Sequence, residues 1–414
     1  MTTIAQTHSP GLTAGTLSAL SSYNFRLYFA GQLISLSGSW MQTVAQGWLV
    51  FHLTKQELWL GVVALAAGVP SLLLSPFAGV VVDRVSRRNL LMFSQVAQML
   101  LAFILSALSF TNTVQVWHIV VLAFFLGVVN AVDAPSRQAF VVDLVGHEKL
   151  TSGIQLNSIM FNLSRVIGPA IAGLVLTQVG PSWCFFLNGL SFVPVFFMLW
   201  VMDVRSVSRI SGDFAPLKSL KEGVRFTARH QTIAPLLVLA ITASFFTANI
   251  TTLLPAFADR VLNSPKEGYA AMSTAIGLGA VFAALSMAVL GRRYGRGHVV
   301  TAAVGLVLLA SVIMSQMTQI PPAVIFAAIY GFGIILQFVT VNTMIQSEVP
   351  DQYRGRVMSL YTLTFFGIAP FGSLGMGFLA EHIGTSTTIA LSATIGGIIS
   401  LLILFRSAHI RRLA

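Results

Sequence analysis

Asp133 and Arg165 are ionisable side chains inside long apolar stretches of this 414-residue sequence. A charge at the centre of a bilayer costs about 3 kcal/mol on insertion scales, so each of these side chains must face a cavity or a partner rather than lipid. At about 1.5 Å rise per residue, Asp133 lies roughly 15 Å from Asp143 along one apolar stretch, and Arg165 lies roughly 21 Å from Thr151 along the next. These depths allow an ion pair between Asp133 and Arg165 as one arrangement.

A short charged turn separates two other apolar stretches. Residues 58–82 and 89–110 carry no charged side chain, and the ionisable groups between them are confined to positions 83–88. Basic loops of membrane proteins face the cytoplasm, so the turn is predicted to be a cytoplasmic loop.

The composition is that of a polytopic membrane protein. Hydrophobic residues make up 55% of the chain and charged residues 9%, whereas soluble domains average about 25% charged. A bilayer-spanning helix needs roughly 20 apolar residues. The sequence therefore predicts an all-α integral membrane fold with twelve transmembrane helices and no sizeable soluble domain, the helices lying near residues 27–51, 58–82, 89–110, 116–137, 151–178, 182–202, 232–258, 268–290, 298–319, 321–346, 357–380 and 385–405.

The distribution of basic residues predicts the topology. With these twelve segments, 20 of the 24 Lys and Arg residues fall on one side, three fall on the other, and Arg165 lies within a segment. This asymmetry predicts that both termini lie in the cytoplasm. The net charge of +11 then indicates orientation and contact with the lipid bilayer, rather than a nucleic-acid partner.

The longest loop divides the segments six and six. It predicts an N-terminal six-helix half at 1–203, a cytoplasmic linker at 204–231 with short surface helices around 217–229, and a C-terminal six-helix half at 232–414. The halves are weakly alike, because Gly168 and Gly173 of the fifth segment are matched 204 positions later by Gly372 and Gly377. Two pseudo-symmetric halves with a substrate site between them are a transporter architecture.

The charged turn resembles the signature loop of the major facilitator superfamily, Gly-x-x-x-Asp-Arg-x-Gly-Arg-Lys/Arg, between helices 2 and 3. The match comprises Gly79, Asp83, Arg84, Arg87 and Arg88, with a departure at Ser86, where the family prefers Gly. Further stretches resemble the bacterial transmembrane effluxer branch, which includes the enterobactin exporter and macrolide efflux proteins; they lie at 24–31, 130–140, 220–226 and 349–358.

The resemblance implies a gate and an export direction. In the family, the loop arginine matching Arg87 meets an acid near the inner end of helix 4, for which Asp133 and Asp143 are the candidates. The helix dipole separately favours Asp83 as a cap for the positively polarised start of the eleventh segment when the inner end is closed. Gly168, Pro169 and Gly173 are similar to the helix-5 motif of antiporters. Small residues in a membrane helix also serve simply for close helix packing, which is the alternative interpretation.

Three roles remain open for the intramembrane charges. Asp133 can carry the proton that drives exchange, serve the gate, or form a structural ion pair, and if it serves the gate, Arg165 is free to contact an anionic substrate. Amide side chains within the segments are further candidates to line a cavity. They are Asn130, Asn157, Asn162, Asn188, Asn249, Gln337 and Asn342.

The sequence predicts a transporter and not an enzyme. It lacks a Gly-x-x-x-x-Gly-Lys-Ser/Thr loop for ATP, and its eight His residues show no metal-ligand spacing, so no metal or cofactor is expected. The prediction is a secondary exporter that moves an amphiphilic drug or siderophore out of the cytoplasm in exchange for protons, by alternating access. The alternatives are an uptake permease for an organic solute and a non-transporting membrane sensor.

Overall fold

The computed structural model describes residues 17–146, 148–202, 216–407 and 409–410, without the side chains of residues 75, 76, 79, 80, 83, 216–220, 288 and 292. The predicted linker residues 204–215, both chain ends, the side chain of Asp83 and the burial of Gly79 therefore lie outside the described part.

The described chain is helical from end to end. The membrane-length helices extend beyond the predicted segments at most ends, since helices continue into the interface past the apolar core of the bilayer. In chain order the helices are α1 (Tyr23–Thr54), α2 (Glu57–Arg84), α3 (Arg87–Phe110), α4 (Val116–Val145), α5 (Leu150–Gln178), α6 (Pro181–Val201), α7 (Pro216–Arg229), α8 (Ile233–Arg260), α9 (Glu267–Tyr294), α10 (Arg296–Ser315), α11 (Ile320–Glu348), α12 (Asp351–Ile383) and α13 (Thr385–Arg406).

Eleven of the described helices, α2–α6 and α8–α13, are long and apolar enough to cross a bilayer. Helix α1 is longer than most of them but more polar, with Gln32, Ser35, Ser37 and Gln42 buried against its neighbours. Helix α7 is the amphipathic linker helix. It docks on the start of α12, where Phe226 stacks on Tyr353 with ring centroids 4.2 Å apart.

Glycines set the closest helix contacts, and the same contacts recur along the chain. Gly127 of α4 packs directly on the Ala67 carbonyl of α2, and Gly331 of α11, 204 positions later, packs on the Ile276 carbonyl of α9. In the same way, Gly168 joins α5 to α1 and Gly372 joins α12 to α8. Small residues allow this approach because a Cβ at such a position would overlap the neighbouring backbone.

Two helix pairs connect the helices before α7 with those after it. A Cβ at Gly61 of α2 would lie 2.6 Å from the Ser373 carbonyl oxygen of α12, and one at Gly277 of α9 would lie 2.5 Å from the Arg165 carbonyl oxygen of α5. Gly377 and Gly173 extend these contacts toward the α1–α2 turn. The contacts at these four glycines therefore lie in the part of the bundle that is remote from the basic loops.

Helices α8 and α12 are each interrupted by a π turn, at Ala243–Thr247 and Thr364–Ile368. A π turn disturbs the regular backbone hydrogen bonds and is frequent at functional positions. In α8, the Asn249 side chain donates to the carbonyls of Ser244 at 2.6 Å and Phe245 at 3.0 Å, which satisfies backbone acceptors next to the break.

We expect Gly127→Ala to lower stability by about 1–3 kcal/mol, the usual cost of overpacking, because the added methyl group would overlap the Ala67 carbonyl. Gly305→Ala in α10 is the matched control, since nothing lies within 4 Å of its Cβ position. The melting of the purified protein can be followed with a thiol-reactive dye, because Cys184 is the only cysteine and is buried. Equal melting temperatures for the two variants would contradict the packing role of Gly127.

Candidate transport cavity and its gates

The α2–α3 turn uses its arginines to join three helices. The Arg87 guanidinium lies 2.7 Å from Asp143 Oδ1 on α4. Arg88 donates from Nε to the Leu199 carbonyl and from its terminal nitrogen to the Trp200 carbonyl, both at 2.5 Å. These carbonyls are among the last of α6, which no longer have partners within the helix. The turn therefore holds α3 to the C-terminal ends of α4 and α6.

The departure from the family at Ser86 causes no backbone strain. Its φ is −58°, which any L-residue adopts, and α3 begins directly after it. Of the remaining loop residues, Arg84 is exposed at the end of α2. The side chain of Asp83, which the helix dipole favours as a cap for the start of α12, lies outside the described residues.

Asp133 is buried on α4 and forms an ion pair with Arg137 of the same helix, four residues further on, at 2.5 Å. The partner is therefore Arg137 rather than Arg165, and the acid that meets Arg87 is Asp143. An i to i+4 pair on one helix face needs no adjustment between helices, which explains why the nearer arginine is the partner. Arg137 also donates to Gln32 on α1, at 3.4 Å.

A second set of ion pairs lies at the opposite end of the bundle, where the α1–α2 turn meets the end of α8. Lys55 lies 3.1 Å from Asp259, and Arg260 lies 3.2 Å from the fully buried Glu57. Thr385, at the start of α13, donates to the same Glu57 oxygen at 2.9 Å. These pairs join α1 and α2 to α8 and α13, so they close the bundle at this end.

A cavity of about 770 Å³ lies between these two ends. Its walls come from α1–α6 on one side and from α8, α9 and α12 on the other. The polar side chains on its surface include Gln42, Gln46, Gln98, Asn130, Asn188, Arg137 and Arg165, and its aromatic side chains are Trp40, Phe161, Tyr269, Phe365 and Phe366. A few polar groups in a largely apolar wall are typical of a small-molecule site.

Arg165 lines this cavity without a carboxylate partner among the described residues. Its guanidinium lies over the Trp40 ring, 5.5 Å from the centroid. Trp40 in turn contacts Phe161 edge to face, with centroids 5.9 Å apart. A cation–π contact of this kind orients the guanidinium but leaves its charge uncompensated.

The predicted amides fall into two groups. Asn130 lines the cavity, and so does Asn188, which donates to Gln42 at 2.7 Å. The others lie outside the lining: Asn249 supports the break in α8, Gln337 is buried in α11, Asn342 accepts a hydrogen bond from Gln346, Asn162 donates to the Ser158 carbonyl at 2.8 Å, and Asn157 is half-buried on α5.

The helix-5 motif has a packing function. A Cβ at Gly168 would overlap Trp40 Cβ and lie 2.7 Å from the Ser37 carbonyl oxygen on α1, and one at Gly173 would lie 2.9 Å from Ala270 on α9. Pro169 lies on the cavity wall. The motif thus fixes the position of α5, and with it Arg165, between α1 and α9.

Sequence comparison identifies the family. The profile of the transmembrane secretion effectors, a family of the major facilitator superfamily, matches residues 14–412. The chain belongs to this family. The resemblance to major facilitator effluxers that the sequence motifs predict is thereby confirmed, as is the expectation that the chain is a multi-pass membrane transporter and not an enzyme.

Individual relatives match nearly the whole chain of this secretion effector. The staphyloferrin A transporter of Staphylococcus aureus is 26% identical over 381 residues, covering 88% of this chain and 92% of its own. The multidrug efflux pump Tap of Mycolicibacterium fortuitum is 27% identical over 375 residues, covering 86% and 89%. A crystal structure of a bacterial ferroportin homologue has the same fold, with a TM-score of 0.68, 16% identity and coverage of 94% and 98%.

Several residues that build the cavity and its closed end are not among the sequence predictions. Glu57 and Asp259 stand close in sequence to Lys55 and Arg260, two of the three basic residues on the side opposite the basic loops. This proximity in the sequence could have indicated the ion pairs. Gln42 and Gln46 stand four positions apart in a membrane helix, a spacing that places both on one face. Trp40 had no signal, because an aromatic residue in a membrane helix usually faces lipid or packs.

Arg87→Ala should destabilise the protein by about 1–3 kcal/mol, because it leaves a carboxylate without a counter-charge in a partly buried place. The Asp143 side chain is 6% exposed. Arg354→Ala is the control, since its partner Asp351 is 86% exposed, and such surface pairs contribute about 0–1 kcal/mol. Melting of both variants, and of Arg87→Ala combined with Asp143→Asn, measures the effect. If Asp143→Asn restores nothing, the lost ion pair is not the cause.

Proposed function

We propose that this secretion effector is a secondary active exporter that moves an amphiphilic small molecule, a drug or a siderophore, out of the cytoplasm by proton antiport. The observation that carries the proposal is the cavity of about 770 Å³, which is walled by helices from both sides of the linker and closed at one end by ion pairs. A sensor that does not transport has no need of such a space.

The architecture belongs to the proposal. We assign α1–α6 to an N-terminal half (1–203), α8–α13 to a C-terminal half (232–414), and the segment between them (204–231) to a linker. Helix α1 then counts as a twelfth span, whose polar residues face the bundle rather than lipid. The recurrence of the Gly127 contact at Gly331 supports the pseudo-symmetry. The basic loops favour cytoplasmic termini, and the bacterial relatives favour a bacterial cytoplasmic (inner) membrane.

The arrangement fits the inward-open state of an alternating-access cycle. The Lys55–Asp259 and Arg260–Glu57 pairs close the outer end. At the inner end, the Arg87–Asp143 pair joins two helices of the same half and so does not close the gap between halves. The similar ferroportin homologue was also captured in an inward-facing state. The opposite, outward-open state would require the outer pairs to separate.

The direction of transport and its coupling to protons are supported by different observations. One relative is a multidrug efflux pump and another transports staphyloferrin A, and the Gly168–Pro169 motif resembles that of antiporters. For coupling, Asp133 is a buried carboxylate whose partner Arg137 reaches the cavity wall. A proton that binds Asp133 would neutralise the carboxylate and break its ion pair, so Arg137 would be released toward the cavity. Protonation of Asp133 would in this way change the charge that a substrate in the cavity meets.

Everted membrane vesicles energised by respiration should accumulate fluorescent amphiphiles, and a protonophore should abolish the accumulation. The probes are a panel of both charge signs that includes fluorescein and rhodamine 6G. Asp133→Asn should lose energised accumulation, because it can no longer release a proton. Asp351→Asn is the matched control, since that acid is exposed on the surface.

Accumulation in right-side-out vesicles instead of everted ones would show uptake and contradict export. Accumulation that a protonophore leaves unchanged would contradict proton antiport. If no probe moved in either orientation, the assignment to a broad amphiphile exporter would be rejected.

Weakening the outer ion pairs should open the cavity to the outside. We expect Glu57→Gln combined with Asp259→Asn to increase labelling of a cavity cysteine, Thr252→Cys in a Cys184→Ser background, by an impermeant thiol reagent added to right-side-out vesicles. Thr252 lines the cavity. Asp351→Asn in the same background is the control. Labelling that is unchanged by the paired substitution would refute the outer gate.

A further inference from the structure

The charges on the cavity wall specify the class of substrate. We infer that the cavity binds amphiphilic anions, with the Arg165 guanidinium as the group that holds the carboxylate, sulfonate or phosphate of the substrate. This inference rests on the proposed function, because it treats the cavity as the transport site, and it narrows the substrate to one sign of charge.

The described lining of the cavity contains two guanidinium groups and no carboxylate. One of them, Arg137, is compensated by Asp133 at 2.5 Å, just behind the wall. The other, Arg165, has no ion pair among the residues that the structure describes. The cavity therefore carries about one uncompensated positive charge. A cationic amphiphile would enter against this charge and would find no acid on the described wall to hold it.

An isolated guanidinium at membrane depth is costly, and such residues mark substrate or ion pathways when they face a cavity. A bound anion removes that cost. Arginine is suited to the role, because it stays charged at any physiological pH and its planar fork binds two oxygens of a carboxylate or phosphate at once.

The surroundings of Arg165 hold it in position for a ligand. The guanidinium carbon lies over the Trp40 ring, 5.5 Å from its centroid, and Phe161 contacts Trp40 edge to face. The backbone of Arg165 is fixed on its other side by Gly277 of α9, where a Cβ would lie 2.5 Å from the Arg165 carbonyl oxygen. A side chain with so little freedom loses little entropy on binding, so its charge is available at low cost.

The other residues of the cavity wall indicate the chemistry of the remainder of the substrate. Aromatic surfaces are supplied by Tyr269, Phe365 and Phe366, and hydrogen-bonding amides by Gln46 and Asn130. The apolar lining predominates, so the molecule should pair its anionic group with an extensive ring or chain system. A volume of about 770 Å³ lies within the range of pockets for drug-sized ligands.

Equilibrium binding of two xanthene dyes to the purified protein in zwitterionic nanodiscs tests this inference. Fluorescein is anionic and rhodamine 6G is cationic, while their ring systems are similar in size. Fluorescence anisotropy, corrected with empty nanodiscs, should show fluorescein bound at least tenfold more tightly than rhodamine 6G. Because no gradient is applied, the result does not depend on direction or coupling.

Arg165→Gln should weaken fluorescein binding about tenfold or more, the usual effect of losing a charge-assisted hydrogen bond, and should leave rhodamine 6G binding equal or tighter. The fluorescein affinity of Arg165→Lys should lie between those of the wild type and Arg165→Gln, because lysine keeps the positive charge but lacks the planar guanidinium that binds two oxygens. Arg293→Gln is the matched control: Arg293 is an exposed cation near the inner end of α9, roughly 25 Å along the helix from the cavity residue Ile276.

Tighter binding of rhodamine 6G by the wild type, binding of neither dye, or fluorescein binding that Arg165→Gln leaves unchanged would each overturn the inference. The wild-type comparison stands even if a variant does not fold. Vesicle transport separates the two proposals. Export of rhodamine 6G without fluorescein would leave the exporter intact and refute the anion site, whereas fluorescein binding without energised transport would do the reverse.

Discussion

The need to neutralise charge away from water governs the polar architecture of this protein. An ion taken out of water loses several kcal/mol of solvation, and only a close counter-charge with good geometry compensates. Three buried or nearly buried acids, Glu57, Asp133 and Asp143, each meet an arginine within 3.2 Å. Arg165 has no such partner among the described residues, and it faces the cavity. Arg165 therefore differs from the arginines that meet these three acids, because a counter-charge can reach its guanidinium from the cavity.

The two kinds of contact in the bundle differ in how easily they separate. Within each group of helices, glycines such as Gly127 and Gly331 bring backbone directly against backbone, and separating such surfaces opens voids that nothing fills. At the end that the ion pairs close, glycines also bring α2 directly against α12, and the two pairs differ in burial. Lys55 is 55% exposed, whereas Arg260 meets the fully buried Glu57, and removing the partner of a buried charge costs about 3–5 kcal/mol. Separation at this end therefore requires the buried Glu57 carboxylate to find a new partner, whereas the exposed Lys55–Asp259 pair can part at little cost.

The fold was largely predictable from the sequence, and the site only in part. Long apolar stretches bounded by basic turns define the helices, because a bilayer leaves the backbone no alternative to a helix. The contact of Arg87 with an acid of α4 followed from its loop. The partner of Asp133 did not, because the choice between Arg137 and Arg165 depends on helix rotation and depth, which a hydropathy pattern does not specify. Nor did the pattern reveal that Asn249 serves the backbone of α8 while Asn130 faces the cavity, since both are amides within apolar helices.

The breaks in α8 and α12 connect the cavity to its closed end. Phe365 and Phe366 lie within the π turn of α12 and on the cavity wall. Beyond that turn, α12 packs on α2 at Gly68 and Gly61 and reaches the region of Glu57 at Gly377. A ligand that touches the two phenylalanines therefore contacts α12 where its regular hydrogen bonding is interrupted, and a helix bends most easily at such a point. On the α8 side, Asn249 accepts a hydrogen bond from Ser373 at 3.0 Å, so the two interrupted helices are joined just beyond their breaks. The cavity wall and the ion pairs at its closed end are thus linked through one segment of α12.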